Sequence, residues 1–194
     1  ELSTVHRFHD PAYAALSLRL REPTNRDAAL GVAADLEAGG HMRRVENSVE
    51  ARTVMVEGYF AAAGPHRNVA LVTGTNEEAD AINEAIQARR IERGELLPDR
   101  TAAGRGDQLL LVGDTVQTRR NDRDTGVENR ALWTIRSIGP SGIELISTTD
   151  GLQVRTVSAG YAAEHVQLAY ASTVHGIQGE TTDVSIVGPG VDAA

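Results

Sequence analysis

The sequence predicts an α/β domain that is interrupted by a small β-rich segment, and three observations lead to this expectation. A short apolar run, "NVALVTGTN", is followed by a strongly helical stretch, which is the strand–loop–helix unit of a parallel sheet. After Gly94 the chain becomes a series of short β-type runs separated by turn residues. From Val166 the apolar pattern of a parallel sheet returns. We therefore predict an α/β domain at 1–107 and 161–194, with an antiparallel barrel or curled sheet inserted at 108–160.

The segment 1–64 is expected to form three helices in series. Asp10 stands just before a proline in "DPAYAALSLRLRE", so it can cap the first helix. Asn25 can cap the second helix, which two glycines follow, and the third helix runs up to Gly64.

The helix after "NVALVTGTN" has one apolar face, because Ala79, Ile82, Ala85 and Ile86 recur at helical spacing. The β-type runs that come next are "DQLLLVGDTVQTRRND", "ALWTIRSIGPSGIELIST" and "GLQVRTVSAGY". After them, "VQLAYA" is expected to be a buried strand of the parallel sheet and "DVSIVG" another.

The composition excludes several kinds of site. The chain has no cysteine, and its six histidines do not have the spacing of metal ligands, so no metal site is expected. All 19 basic residues are arginine. A phosphate-binding P-loop ends in a lysine, and this sequence has none. Whatever the chain does with a nucleotide, we expect it to need another domain.

Charge and hydropathy indicate which partners and which cellular location to expect. The net charge of −8 argues mildly against a free-standing nucleic-acid binder, although a local basic patch could override the average. No apolar run approaches the roughly 20 residues of a membrane-spanning helix, and the first residues do not resemble a signal peptide. A cytoplasmic protein without a membrane partner is expected. Because the chain begins at Glu1 and not at methionine, we expect a piece of a larger protein.

Three polar loops could carry chemistry. In "STVHGIQGE", Ser172, Thr173 and His175 lie where open α/β sheets bind ligands, but they could equally tie the loop down. The hydroxyls of "VTGTN" suit a phosphate, and the same segment is good helix-starting chemistry. In "QTRRNDRDTG", Arg119 and Arg120 suit contact with a nucleic-acid backbone, or the segment is a salt-bridged hairpin tip.

The order of these segments resembles the second motor domain of superfamily 1 helicases of the RecD-like kind. The likeness is greatest to the helicase part of conjugative relaxases of the TraA, TrwC and TraI group. It covers almost the whole chain and rests on four stretches: "LSTVHRFHDPAYAALSLRLRE", "VALVTGTNEEADAIN", "GDTVQTRRNDRDTGVENRALWTIRSI" and, most specifically, "LAYASTVHGIQGETTD". The resemblance implies a RecA-like parallel-sheet domain with a small SH3-like β-barrel insertion. Many relatives have a basic residue where this chain has Gly176.

The resemblance also implies roles for individual residues. Arg7 resembles the catalytic arginine that reaches the γ-phosphate of ATP across the cleft between the two motor domains. Gln178, Gly179 and Glu180 lie where this family couples the nucleotide to the DNA, and are expected to bind the nucleotide. The residues that are expected to bind DNA are Thr73, Thr75, Asn76, Arg119, Arg120, Asn121, Thr173 and His175.

As a whole, the resemblance implies part of an ATP-dependent 5'–3' DNA helicase, acting in plasmid DNA transfer. Its partners would be single-stranded DNA, the missing first motor domain and proteins of the conjugation machinery. ATP and Mg²⁺ would act in the intact parent, and neither is expected with this fragment alone. The alternatives are a repair helicase like the RecD-type α subunit of exonuclease V and a degenerate, non-catalytic interaction module. A small-molecule α/β enzyme is less favoured, because no convergent acid, base and nucleophile are found.

Overall fold

The computed structural model describes residues 10–21, 24–64, 67–149, 151–177 and 182–190. The chain divides into two compact units, one up to Glu46 and the other from Asn47 onwards.

The described residues of the first unit form the helices α1 (Pro11–Arg21) and α2 (Arg26–Ala38). A carboxylate oxygen of Asp10 accepts hydrogen bonds from two backbone N–H groups of the first turn of α1. The side-chain oxygen of Asn25 does the same for one N–H group of α2. Each cap satisfies donors that a helix cannot satisfy internally, so both predicted caps are confirmed.

The second unit alternates helices with short strands. Its elements in chain order are α3 (Ser48–Ala62), β1 (Val69–Thr73), α4 (Asn76–Glu92), β2 (Thr101–Ala103), β3 (Leu109–Leu111), β4 (Thr115–Thr118), β5 (Leu132–Gly139), β6 (Gly142–Ser147), β7 (Val154–Val157), α5 (Ala159–His165), β8 (Val166–Leu168), β9 (Ala171–Thr173), α6 (Val174–Ile177) and β10 (Val184–Val187). The longest helix, α4, has 17 residues, and none of the helices in the described ranges is long and apolar enough to cross a membrane.

A parallel sheet forms the centre of the α/β part. Its described strands have the order β10-β1-β9, and β1 pairs with both neighbours in parallel. The helices α3 and α4 both contact β1. The predicted apolar face of α4 is confirmed, because Ala79, Ile82 and Ile86 are buried in a core that also contains Leu71 of β1. The mixed α/β fold with a parallel sheet is therefore present as predicted.

The β-rich segment forms a five-stranded antiparallel sheet with the order β7-β6-β5-β4-β8, beside a separate two-stranded pair of β2 and β3. One prediction here is wrong. The run "VQLAYA" is not one strand of the parallel sheet, because Val166–Leu168 pairs antiparallel with β4. The parallel sheet takes up the chain again only at Ala171.

The buried amide of Asn83 fixes this change of sheet. It donates to the carbonyl oxygens of Leu168 and Ala171, at 3.1 and 3.2 Å, and accepts from the N–H of Ala171 at 2.7 Å. The backbone groups that the crossing removes from sheet pairing are thus satisfied by a side chain of α4. Only Ala169 and Tyr170 separate the strands β8 and β9, which belong to different sheets.

Candidate nucleic-acid interface

A cleft of about 580 Å³ opens at the carboxyl ends of β1 and β9, against the end of β4. Five of the residues predicted to bind DNA line it. The complete lining is Gly74, Thr75, Asn76, Glu77, Arg119, Arg130, Thr173, His175 and Gly176. Ligands of open α/β sheets bind at the carboxyl ends of the strands, so the cleft has the position of a binding site.

The two loops that line the cleft begin at the same level of the sheet. Thr73 and Thr173, the last residues of β1 and β9, stand opposite each other in register. Thr73 is buried, and its hydroxyl donates to the carbonyl oxygen of Thr75 at 2.9 Å. Thr73 therefore fixes the backbone of the loop through this hydrogen bond, and it does not line the cleft.

Thr75 is the N-cap of α4. Its hydroxyl oxygen accepts a hydrogen bond from the N–H of Glu78 at 3.2 Å. Thr75 and Asn76 are exposed, and they place the positive end of the helix dipole at the cleft. The carboxylate of Glu77 is the acidic group on this lining. The helix-starting role that the sequence left open is confirmed for this segment.

Two arginines supply the positive charge of the cleft. Arg119 is half-buried, and burial together with the charges of Arg105 and Arg130 lowers its pKa. None of the ion pairs among the described residues involves Arg119 or Arg130. An anion in the cleft would relieve the repulsion between these guanidinium groups.

Arg130 has an unusual backbone conformation. Its φ of 70° lies in the left-handed region, which residues other than glycine adopt rarely. Its N–H donates to the carbonyl oxygen of Thr118 at 2.6 Å. This bond ties the end of the turn to β4, and in this conformation Arg130 lines the cleft.

The loop "STVHG" forms the other wall. Thr173 is half-buried, and His175 is exposed on the single turn of α6. Gly176 is buried against Ser172, and its carbonyl oxygen accepts from the side-chain amide of Gln117 at 2.9 Å. This bond ties the loop directly to the antiparallel sheet.

Arg120 and Asn121 do not line the cleft. A guanidinium nitrogen of Arg120 lies 3.3 Å from Nε2 of His165, and the carbonyl oxygen of Arg120 accepts from the hydroxyl of Tyr161. The side-chain oxygen of Asn121 accepts from the N–H of Asn129 at 2.7 Å and closes the turn. Arg119 and Arg120 follow the end of β4 and line different pockets, because Arg119 lines the cleft and Arg120 lines a separate pocket beside Tyr161 and His165.

Four residues were predicted to act on the nucleotide, and all of them lie outside the described residues: Arg7, Gln178, Gly179 and Glu180. Within the described ranges no group of three or more histidine, aspartate or glutamate residues could hold a metal ion.

Two residues of the site were missed by the sequence reasoning. Arg130 stands at the far end of a turn from Arg119, and no local pattern connects the two. Gln117 lies inside an apolar β-type run and is almost completely buried. A polar residue in such a run costs free energy unless it is hydrogen-bonded, and this is the signal that could have revealed it.

The sequence is similar to that of a curated conjugation protein. The chain is 29% identical over 161 residues to the multifunctional conjugation protein TraI of Escherichia coli, and 27% identical over 161 residues to TraI of Escherichia coli strain K12. Each match covers 79% of this chain but 8% of the relative, so the chain spans a small part of those proteins. No family model matches the chain.

Comparison by structure finds Pif1 helicase from Bacteroides. The chain is similar to the crystal structure of that helicase in complex with ADP-AlF3 and single-stranded DNA, with a TM-score of 0.60 and 16% identity. It is also similar to Bacteroides Pif1 bound to single-stranded DNA, with a TM-score of 0.55 and 16% identity. The matches cover 96% and 97% of this chain, and 45% and 46% of the Pif1 chains. The chain therefore has the fold of one part of these Pif1 structures, and it is similar in sequence to one part of TraI.

Proposed function

We propose that this chain is the second motor domain of an ATP-dependent DNA helicase and that its cleft binds the phosphates of single-stranded DNA. The observation that carries the proposal is the convergence of Thr75, Asn76, Arg119, Thr173 and His175 on one cleft. These residues come from three separate parts of the sequence. Hydroxyl, amide and guanidinium groups are among those that contact nucleic-acid backbones, and a protonated imidazole can do the same.

The local charge supports an anionic ligand although the chain as a whole is acidic. The net charge is −8, but the cleft holds two arginines and one glutamate. Each phosphate contact made by a cation releases counterions, so the affinity would depend strongly on salt. Contacts to the backbone carry no sequence information, and binding would be indifferent to the bases.

For the intact protein, we propose that the antiparallel sheet is an SH3-like insertion that lies over the DNA strand. The intact protein would move 5'–3' and use ATP and Mg²⁺ together with a first motor domain. The sequence similarity to TraI, which is described as a conjugation protein, favours plasmid transfer over repair as the process.

Binding of a fluorescein-labelled oligo(dT) to the 194-residue chain tests the DNA-binding part. Anisotropy titrations at several salt concentrations give the affinity and the slope of log K against log salt. We expect Arg119→Met to lower the affinity several-fold at low salt and to reduce the slope by about 0.7, the value for one phosphate of a single strand.

The matched control is Arg136→Met. Arg136 is an exposed arginine of the same antiparallel sheet that lies 3.7 Å from Glu144 and does not line the cleft. It should leave the slope unchanged. Equal effects of the two substitutions, or no binding by the unsubstituted chain, would refute the proposed DNA site.

The ATP part has its own test. The isolated chain should release no phosphate from ATP, with or without DNA, because it has no lysine for a P-loop. Measurable turnover by the purified chain would contradict the proposal that a first motor domain supplies this chemistry.

A further inference from the structure

The amide of Gln117 joins the two walls of the cleft. This residue of β4 is 1% exposed. Its Nε2 donates to the carbonyl oxygen of Gly176 at 2.9 Å and to that of Arg130 at 3.1 Å. Its Oε1 accepts from Nη1 of Arg119 at 3.0 Å. One buried side chain thus contacts both arginines of the cleft and the helical turn that carries His175.

The surroundings determine which way this amide points. Two backbone carbonyl oxygens need donors, and a guanidinium needs an acceptor. If the amide were reversed, its NH₂ group would face the guanidinium and its oxygen would face the two carbonyl oxygens. Gln117 therefore has a single favourable orientation, in which its oxygen faces Nη1 of Arg119.

Simple burial does not account for this arrangement. An apolar residue would fill the same space in β4 without the cost of burying an amide. The amide contributes a hydrogen-bond acceptor to a half-buried arginine that forms no ion pair with a carboxylate among the described residues. A neutral acceptor orients a guanidinium and leaves its charge available to a ligand, whereas a carboxylate would neutralise that charge.

We propose that Gln117 is a positioning residue, which directs the guanidinium of Arg119 into the cleft and fixes the loop of His175 opposite to it. This inference rests on the proposed binding of DNA phosphates. Gln117 is too buried to touch DNA, so all of its effect on affinity has to pass through the groups that it holds.

The test is a double-mutant cycle of Gln117→Met and Arg119→Met, read by oligo(dT) anisotropy at several salt concentrations. Methionine keeps the length of glutamine but removes the amide. Gln117→Met alone should weaken binding about five-fold, which is on the scale of interactions between residues in contact. In the Arg119→Met background, Gln117→Met should lose the part of this effect that passes through Arg119 and keep only the part that passes through the loop of His175, and the salt slope of the double variant should equal that of Arg119→Met.

A second variant and an unfolding measurement distinguish the positioning role from a folding defect. Gln117→Glu keeps an acceptor for Arg119, but it neutralises the guanidinium and sets a carboxylate against two carbonyl oxygens. Gln117→Glu should therefore reduce the slope of log K against log salt, as Arg119→Met does. Thermal unfolding, followed by the fluorescence of Trp133, identifies which variants are folded at the temperature of the titration.

Gln167→Met is the matched control. On the neighbouring strand β8, Oε1 of Gln167 accepts from Nη1 of Arg105 at 3.0 Å, and neither residue lines the cleft. This variant should bind as the unsubstituted chain does. If the unsubstituted chain binds oligo(dT) but the effects of Gln117→Met and Arg119→Met simply add, the positioning role is overturned and the DNA site stands. If the unsubstituted chain does not bind, both proposals fall.

Discussion

Gly176 approaches Ser172 so closely that a β-carbon on residue 176 would overlap the Ser172 hydroxyl oxygen. The contact lies between α6 and β9, at the base of the loop that lines the cleft. Any side chain at position 176 therefore has to displace Ser172.

We expect Gly176→Ala to destabilise the second unit by about 1–2 kcal/mol, the usual cost of overpacking a filled site. Alanine is otherwise the better helix residue by about 1 kcal/mol, so a loss identifies the contact with Ser172 as its cause. Urea unfolding followed by Trp133 fluorescence measures the change. Adding Ser172→Ala should restore most of the stability, because the next atom, the β-carbon of Ser172, is 3.3 Å away. A double variant as unstable as Gly176→Ala would contradict this explanation.

Position 75 separates helix capping from DNA binding. Thr75→Asp keeps a good N-cap but adds a negative charge to the cleft, whereas Thr75→Ala removes the cap and adds no charge. We expect the aspartate variant to unfold like the unsubstituted chain and to bind oligo(dT) more weakly. The alanine variant should lose about 1 kcal/mol of stability and keep most of its affinity. The reverse pattern in urea unfolding and anisotropy would contradict both roles.

Asn83 should be among the least replaceable polar residues of the second unit. Asn83→Ala leaves one buried N–H and two carbonyl oxygens without their partner, at a cost of about 3 kcal/mol or more. Hydrogen exchange at the amide of Ala171 should become much faster. Asn121→Ala is the control, since it removes one hydrogen bond of an exposed turn. Similar losses from the two substitutions would show that the crossing is not held by Asn83.

A buried carboxyl group makes the stability depend on pH. Asp114 accepts hydrogen bonds from the hydroxyl of Tyr170 at 2.6 Å, from Nε2 of Gln87 at 2.6 Å and from the N–H of Leu111 at 2.7 Å. Burial nevertheless raises the pKa of Asp114, and this outweighs the lowering by these bonds and by the charge of Arg90. The folded protein therefore holds this proton more tightly than the unfolded chain does.

The stability that Asp114 contributes is fully present below its unfolded pKa of about 3.9 and is lost as the pH rises through the raised pKa of the folded state. Asparagine has no such titration. The free energy of unfolding of the unsubstituted chain should therefore fall, relative to that of Asp114→Asn, as the pH rises from about 4. Urea unfolding at a series of pH values measures the difference, and a difference that is constant with pH would contradict the assignment.

The local features of the fold were predictable from the sequence. Asp10 and Asn25 cap helices because capping depends on residues two or three positions apart, and the apolar face of α4 depends on a spacing within one helix. The division of "VQLAYA" between two sheets was not predictable in this way. It depends on strands that are about fifty and a hundred residues away, and on the amide of Asn83.

The candidate site shows the same limit. Thr75 and His175 could be singled out because they follow apolar runs at strand ends, where loops bind ligands. Arg119 could not be distinguished from Arg120 by sequence, because only the pairing of β4 decides which of them faces the cleft. Gln117 acts through three partners, and two of them are backbone carbonyl groups that leave no trace in the sequence.

The central strand of the parallel sheet finds both of its neighbours near the far end of the chain. β1 pairs with β9 and β10, and the N–H of Asn68 donates to Asp183, 115 residues further on. During synthesis this apolar strand therefore emerges long before its partners, while β4, β5, β6 and β7 can pair as successive hairpins. We expect the antiparallel sheet to form first and the parallel sheet to close last. A chain that stops after Leu168 would keep the hairpins but leave both edges of β1 open to pairing with other chains, which is a route to aggregation.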